Sequence, residues 1–242
     1  MSLLSFIFSA FIVITVTSVQ AETCIECHEQ RDPELVNQWR LSGHGAGNCS
    51  DCHVSTHSAM GARKPAACTT CHAGPVEHSY RTSKHGVINR IEQRKTDWSL
   101  PLVRGNYRAP SCAYCHLYAK QHDTKKTIQG FEVDEMVLMC SGCHSPRYAT
   151  EQLASGQRLQ EIGTLKVNEA KAVIAQARQA GAPMEPFELL MDEMINIGMM
   201  NLRLGSGHQS PDYQWWHGQP ALDGLLLRIK GQLSEFLRQS AD

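Results

Sequence analysis

An excess of positive charge is missing from this chain. Its 242 residues carry 23 Lys and Arg against 24 Asp and Glu, a formal net charge of −1. It therefore has no cationic surplus with which to grip a phosphate backbone, and nucleic acid is not an expected partner. Beyond residue 19 no apolar run is long enough to span a bilayer. From residue 22 to about residue 146 long periodic apolar segments are scarce as well, which excludes an ordinary side-chain core for that stretch.

What is present is cysteine in a fixed pattern. Cys-x-x-Cys-His occurs five times, at Cys24, Cys27 and His28; Cys49, Cys52 and His53; Cys68, Cys71 and His72; Cys112, Cys115 and His116; and Cys140, Cys143 and His144. These copies use all ten cysteines. Paired thiols can also bind zinc, and an even number can form a disulfide framework. Zinc needs no histidine directly after the second cysteine, and disulfides need no two-residue spacing. The repeated histidine at one offset points instead to covalent haem c, two thiols adding to the vinyl groups and the histidine ligating iron. Five haems c are the expected cofactors. The first cysteines are 25, 19, 44 and 28 residues apart, so no solenoid period is present.

The apolar run from Leu3 to Val19 leads into Val19-Gln20-Ala21, a small-residue ending that suits signal-peptide cleavage after residue 21, although a basic leading segment is missing. The alternative is a retained membrane anchor, whose 17 residues sit at the short end for a spanning helix. Export to the periplasm is expected, because the thiols must meet haem outside the cytoplasm.

The expected fold is mostly α, with no significant β-sheet. Residues 22–148 form a pentahaem region of loops and short helical turns with little regular structure, clamped by haem rather than by side-chain packing. Residues 149–242 form a C-terminal helical region that packs on the haem region or on neighbouring subunits. Its apolar periodicity gives helices over 151–180, about 186–204 and about 220–238, joined by short connections into a bundle. Met184, Met191, Met194, Met199 and Met200 cluster on the second of these; the stripe reads as adaptable packing rather than as iron ligands.

Haem iron has a second axial position, and seven histidines lie outside the motifs: His44, His57, His78, His85, His122, His208 and His217. All seven are candidate iron ligands. His44 and His85 stand in a local repeat, Trp39-Arg40-Leu41-Ser42-Gly43-His44-Gly45 and Tyr80-Arg81-Thr82-Ser83-Lys84-His85-Gly86, whose glycines are expected to admit a porphyrin edge. His57 follows His53 by one helical turn and so suits a neighbouring haem. His78 and His122 each follow a motif histidine by six residues. His208 and His217 bracket the segment Pro211-Asp212-Tyr213-Gln214-Trp215-Trp216, whose adjacent tryptophans are expected to fold over a haem, with His208 presented from a Gly-rich turn. Arg31, Arg63, Lys64, Arg81, Arg90, Arg104, Arg108, Lys120 and Arg147 are scattered between the motifs and are read as partners of haem propionates or as solvated charges. Asp97 and Asp134 have no second catalytic group at a defined spacing and are read as structural.

The alternation of Cys-x-x-Cys-His with Ser-x-His-Gly, the long C-terminal helices and the segment Pro-Asp-Tyr-Gln-Trp-Trp-His-Gly resemble the multihaem cytochromes related to hydroxylamine oxidoreductase. The resemblance implies a periplasmic location, close-packed haem pairs, mostly bis-histidine ligation and a helical bundle that builds trimers. The oxidoreductases of that family have eight haems where this chain encodes five motifs, which puts a catalytic haem in doubt. Tyr213 is a match in position only for the tyrosine that cross-links a neighbour's catalytic haem, and is read as a packing or hydrogen-bonding residue.

The expected function is electron transfer through closely spaced haems, with no catalytic residue assigned. The alternative is a haem oxidoreductase acting on a small nitrogen compound such as hydroxylamine or nitrite at one iron with an open distal position, where His57, His122 or Asp134 would move protons. The partners expected are redox proteins, further copies of the chain, and a membrane quinol-oxidising or nitrogen-compound redox system.

Overall fold

Every motif is built as a helical turn. His53 N–H donates to the Cys49 carbonyl (2.8 Å), His72 to Cys68 (2.9 Å) and His144 to Cys140 (3.0 Å), the i to i−4 bond of an α-helix. Residues four apart lie on one helical face, so the first thiol and the imidazole of a motif point the same way. The computed structural model describes residues 20–53, 58–124 and 133–241, and among these there is no strand.

In chain order the haem region comprises α1 (Gln20–Arg31), α2 (Pro33–Leu41), α3 (Cys49–Cys52), α4 (Met60–Arg63), α5 (Pro65–Thr69), α6 (Pro75–Thr82), α7 (Lys84–Glu92), α8 (Cys112–His116) and α9 (Val133–Ser141). Starts are marked by proline and small polar caps: Asp32 accepts from Leu35 N–H (3.2 Å) ahead of Pro33, and Ser83 accepts from Gly86 N–H (3.1 Å). The expected signal segment, residues 1–21, lies outside the described residues apart from Gln20 and Ala21, which open α1.

The C-terminal helices are α10 (Pro146–Gln179), α11 (Glu185–Glu193), a π-helical turn at Met194–Gly198, α12 (Met199–His208), the short α13 (Pro211–Trp215) and α14 (Gln219–Gln239). At 34 residues, α10 is about 50 Å long. It begins five residues before the expected position, because Ser145 caps it by accepting from Tyr148 N–H (3.3 Å) and Pro146 suits its first turn. Leu159, Val167, Ala170, Ile174 and Ala177 repeat along one face and pack with Phe187, Leu190, Met194, Met199, Leu202, Leu222, Leu225, Leu226, Ile229 and Leu233 in a large apolar cluster. Gly163 permits the closest approach, since a Cβ there would meet Leu202 Cδ2 at 2.6 Å and Met199 Sδ at 2.9 Å. Met194 and Met199 lie inside this core, with Met184 and Met191 against it, so these methionines pack as the sequence suggests.

Candidate metal centres

Four motif histidines face a second histidine from elsewhere in the chain. The ring centroids of His44 and His72 are 5.8 Å apart, those of His53 and His122 6.2 Å, of His85 and His144 6.0 Å, and of His116 and His208 6.4 Å. Two imidazoles bound to opposite sides of one iron, each by a bond of about 2.0 Å, have their ring centres about 6 Å apart. The four separations match that spacing.

The non-motif partner in three pairs has its other ring nitrogen tied down. His122 Nδ1 lies 3.0 Å from the Lys120 carbonyl, which can only accept, so Nδ1 carries the proton and Nε2 keeps its lone pair. Ser79 Oγ donates to the Val76 carbonyl (2.9 Å) and therefore accepts from His208 Nδ1 (2.6 Å), which fixes the same tautomer. His44 Nδ1 is 2.9 Å from Thr124 Oγ1. Orientation of this kind raises ligand basicity and holds the ring in place. Burial, aided by His116 and His85, pushes His208 down to about 4, and burial with His144 nearby lowers His85, so both stay neutral donors.

The Ser-x-His-Gly repeat is one structural device used twice. Ser42 and Ser83 each end a helix, and each hydroxyl donates to the carbonyl three residues earlier, that of Trp39 or Tyr80, at 2.7 Å. The following glycine is required by the chain itself. A Cβ on Gly45 would overlap the Arg40 carbonyl, and one on Gly86 the Tyr80 carbonyl, so the turn closes on its own preceding helix.

The motifs lie side by side in sequence order. Burial and then the nearby Cys24 hold the Cys49 thiol above its usual range; Cys52 is raised by burial and by Cys68 and Cys71. The thiols of Cys68 and Cys112 share a hydrogen bond. Cys115 is pushed up to about 12 by burial, with Cys140 and Cys143 adding to it. None of the ten cysteines is in a disulfide.

Residues 44–132 match the family described as seven times multi-haem cytochrome CxxCH. In an alignment 198 residues long that covers 56% of this chain and 23% of the relative, the chain is 29% identical to a probable nitrite reductase-hydroxylamine oxidoreductase fusion protein of Kuenenia stuttgartiensis. Its fold is similar to that of a hypothetical multiheme protein (TM-score 0.68, 16% identity, 81% of this chain and 59% of the other). It is equally similar to a reducing HAO-like protein complex of K. stuttgartiensis (TM-score 0.68, 19% identity, 91% and 72%). Residues 44–132 are thus similar to multihaem cytochromes, and the fold is similar to that of HAO-like multihaem proteins. The Cys-x-x-Cys-His pattern of that family implies covalent haem c.

The remaining expected ligands divide. His57 lies outside the described residues. His78 and His217 face each other, with centroids 6.1 Å apart, rather than any motif histidine in the pairs above. His208 comes from the last residue of α12, beside Gln209 at φ 52°, and not from a loose turn. Trp215 and Trp216 are 59% and 73% exposed in the polypeptide, because the single turn of α13 aims Tyr213 inward instead. Several cations have protein partners: Arg63 donates to the carbonyls of Trp98 (3.1 Å), Ser99 (2.6 Å) and Leu100 (3.0 Å), and Arg108 pairs with Glu92 (3.0 Å). Asp97 accepts from Ser99 N–H and Oγ, which lowers its pKa and closes a turn, the structural role expected of it. The tilted Tyr148 ring lies 5.0 Å from His144, a contact that spacing alone does not signal.

Proposed function

We propose that this cytochrome is a periplasmic electron carrier with five covalent haems c arranged in the order of their motifs. The observation that carries the proposal is the set of four histidine pairs, which takes in every motif histidine but His28. An iron given two imidazoles has no position left for a substrate, and its geometry changes little between redox states. Haem c supplies reversible one-electron exchange between ferric and ferrous iron. His44, His122 and His208, oriented by Thr124, the Lys120 carbonyl and Ser79, would hold the iron together with the motif histidines, and burial around His85 and His208 would keep those rings neutral.

The side-by-side order of the motifs supports a relay with an entry at the Cys24 end and an exit at the Cys140 end. Redox proteins, including a membrane quinol-oxidising or nitrogen-compound redox system, are the inferred partners. Ile162, Leu165, Leu189 and Leu227 are exposed on the helical region, which supports assembly into a homo-oligomer such as a trimer.

Absorption and paramagnetic resonance spectroscopy of the haem-loaded protein tests the reading. Mass should correspond to five haems, and all of them should be six-coordinate and low-spin. A high-spin signal equal to one haem in five would overturn it in favour of an oxidoreductase acting on a small nitrogen compound at an open iron.

A further inference from the structure

We infer that His78, Asp212 and His217 form a separate, non-haem site for a divalent first-row transition ion, for which zinc is the natural probe. One ligand atom from each of these residues lies within 4.8 Å of the others, and all three side chains are half-buried. His217 Nε2 is 3.7 Å from Asp212 Oδ2. Metal bonds of about 2.0 to 2.2 Å need the three atoms only slightly closer, within reach of small side-chain rotations. Two imidazoles and one carboxylate are a borderline ligand set that suits zinc and its neighbours better than calcium or magnesium, and they leave a fourth position for water or another small ligand.

The frame around these residues is already fixed. Asp212 and His217 belong to one turn, in which the Asp212 carbonyl accepts from both Trp216 N–H (2.8 Å) and His217 N–H (3.0 Å). Gly218 follows because a Cβ there would overlap the Tyr213 carbonyl. His78 comes from α6, which is pinned to this turn by Thr82 Oγ1 against Ser210 Oγ (3.0 Å) while the same Thr82 hydroxyl reaches the His78 carbonyl (2.9 Å). Tyr213, 4% exposed, sets its hydroxyl 3.4 Å from His78 Nδ1, a contact that coordination through Nε2 would leave in place. A hydrogen bond to the nitrogen away from the metal is the usual support for a ligating histidine.

The site stands apart from the four haem-facing pairs but is joined to one of them. Ser79, the residue after His78, holds His208. A metal ion would therefore brace α6 and α13 on either side of a haem-ligand histidine.

Zinc retention by the full, haem-loaded protein is the test. The protein is treated with chelator, incubated with zinc chloride, passed through gel filtration, and its zinc and iron measured by mass spectrometry. One zinc per chain is expected, falling to none in H78A, H217A and the near-isosteric D212N, with haem content and low-spin spectra unchanged in all three. Failure of the parent to retain zinc, or equal zinc in parent and variants, overturns the site. Conversion of a haem to high spin in H78A or H217A also overturns it, by returning those histidines to haem. D212N removes no imidazole, so loss of zinc in that variant alone still separates the site from a folding defect.

Discussion

His208, the last residue of α12, holds its ring 6.4 Å from that of His116, the last residue of α8, and Ser79 fixes its orientation through a 2.6 Å hydrogen bond. A third helix thus aligns a pair whose members come from different halves of the chain. H208A should convert one haem to high spin, and H208M should keep it six-coordinate while raising its potential, since methionine in place of histidine favours the ferrous state. Spectroelectrochemistry on the two variants reads both effects. Unchanged spectra in H208A would remove the pair.

S79A should leave every haem low-spin while shifting the potential of one, because it removes the acceptor that sets the His208 tautomer and leaves the ring bound but less basic. Ser79 is fully buried, so the lost partner is not replaced by bulk water. A redox titration that superimposes on that of the parent would show that the hydrogen bond is only packing.

Gly86 is expected to be intolerant of even one methyl group. G86A drives a Cβ into the Tyr80 carbonyl, displaces the turn that carries His85 and should cost about 1–3 kcal/mol. The high-spin fraction should rise with it, since His85 would leave its place opposite His144. G224A serves as the comparison, because nothing lies near that position; unfolding in guanidinium with the haem spectrum as readout compares the two.

The bundle should be separable from the haem spectra. Leu222 and Ile229 are 0% exposed, and truncation of either to alanine should lower stability by about 2–5 kcal/mol. Low-spin spectra at room temperature should persist. A loss of low-spin character in these variants would mean that the helical core sets the axial geometry directly.

R63A should loosen the segment 98–100 by removing a donor shared among three carbonyls, at a cost of about 1 kcal/mol, without moving any potential. A shifted potential would restore the reading of Arg63 as a propionate partner.

The covalent attachment points were legible because their chemistry demands adjacent residue types, and adjacency is visible in a linear text. The Ser-x-His-Gly repeat was legible for the same reason, and the structure sets His44 and His85 opposite His72 and His144. His78 and His122 could not be separated by sequence, since both follow a motif histidine by six residues. The structure parts them because His122 sits in an extended segment held by Gln38, reaching His53, whereas His78 lies on α6 and turns toward α13. His208 and His217 divide on similar grounds: α12 continues through its glycines to His208, since Gly205 packs tightly against the backbone of Tyr213 and Gln214. Which distant helix a side chain meets is decided by such close approaches, and no local spacing records them.

The junction at Ser145 ties two parts of the molecule together mechanically. His144 closes the last motif, and the very next residue caps a rigid rod some 50 Å long. In the proposed relay, a partner that grips the far end of that rod would hold a lever on the terminal centre of the row.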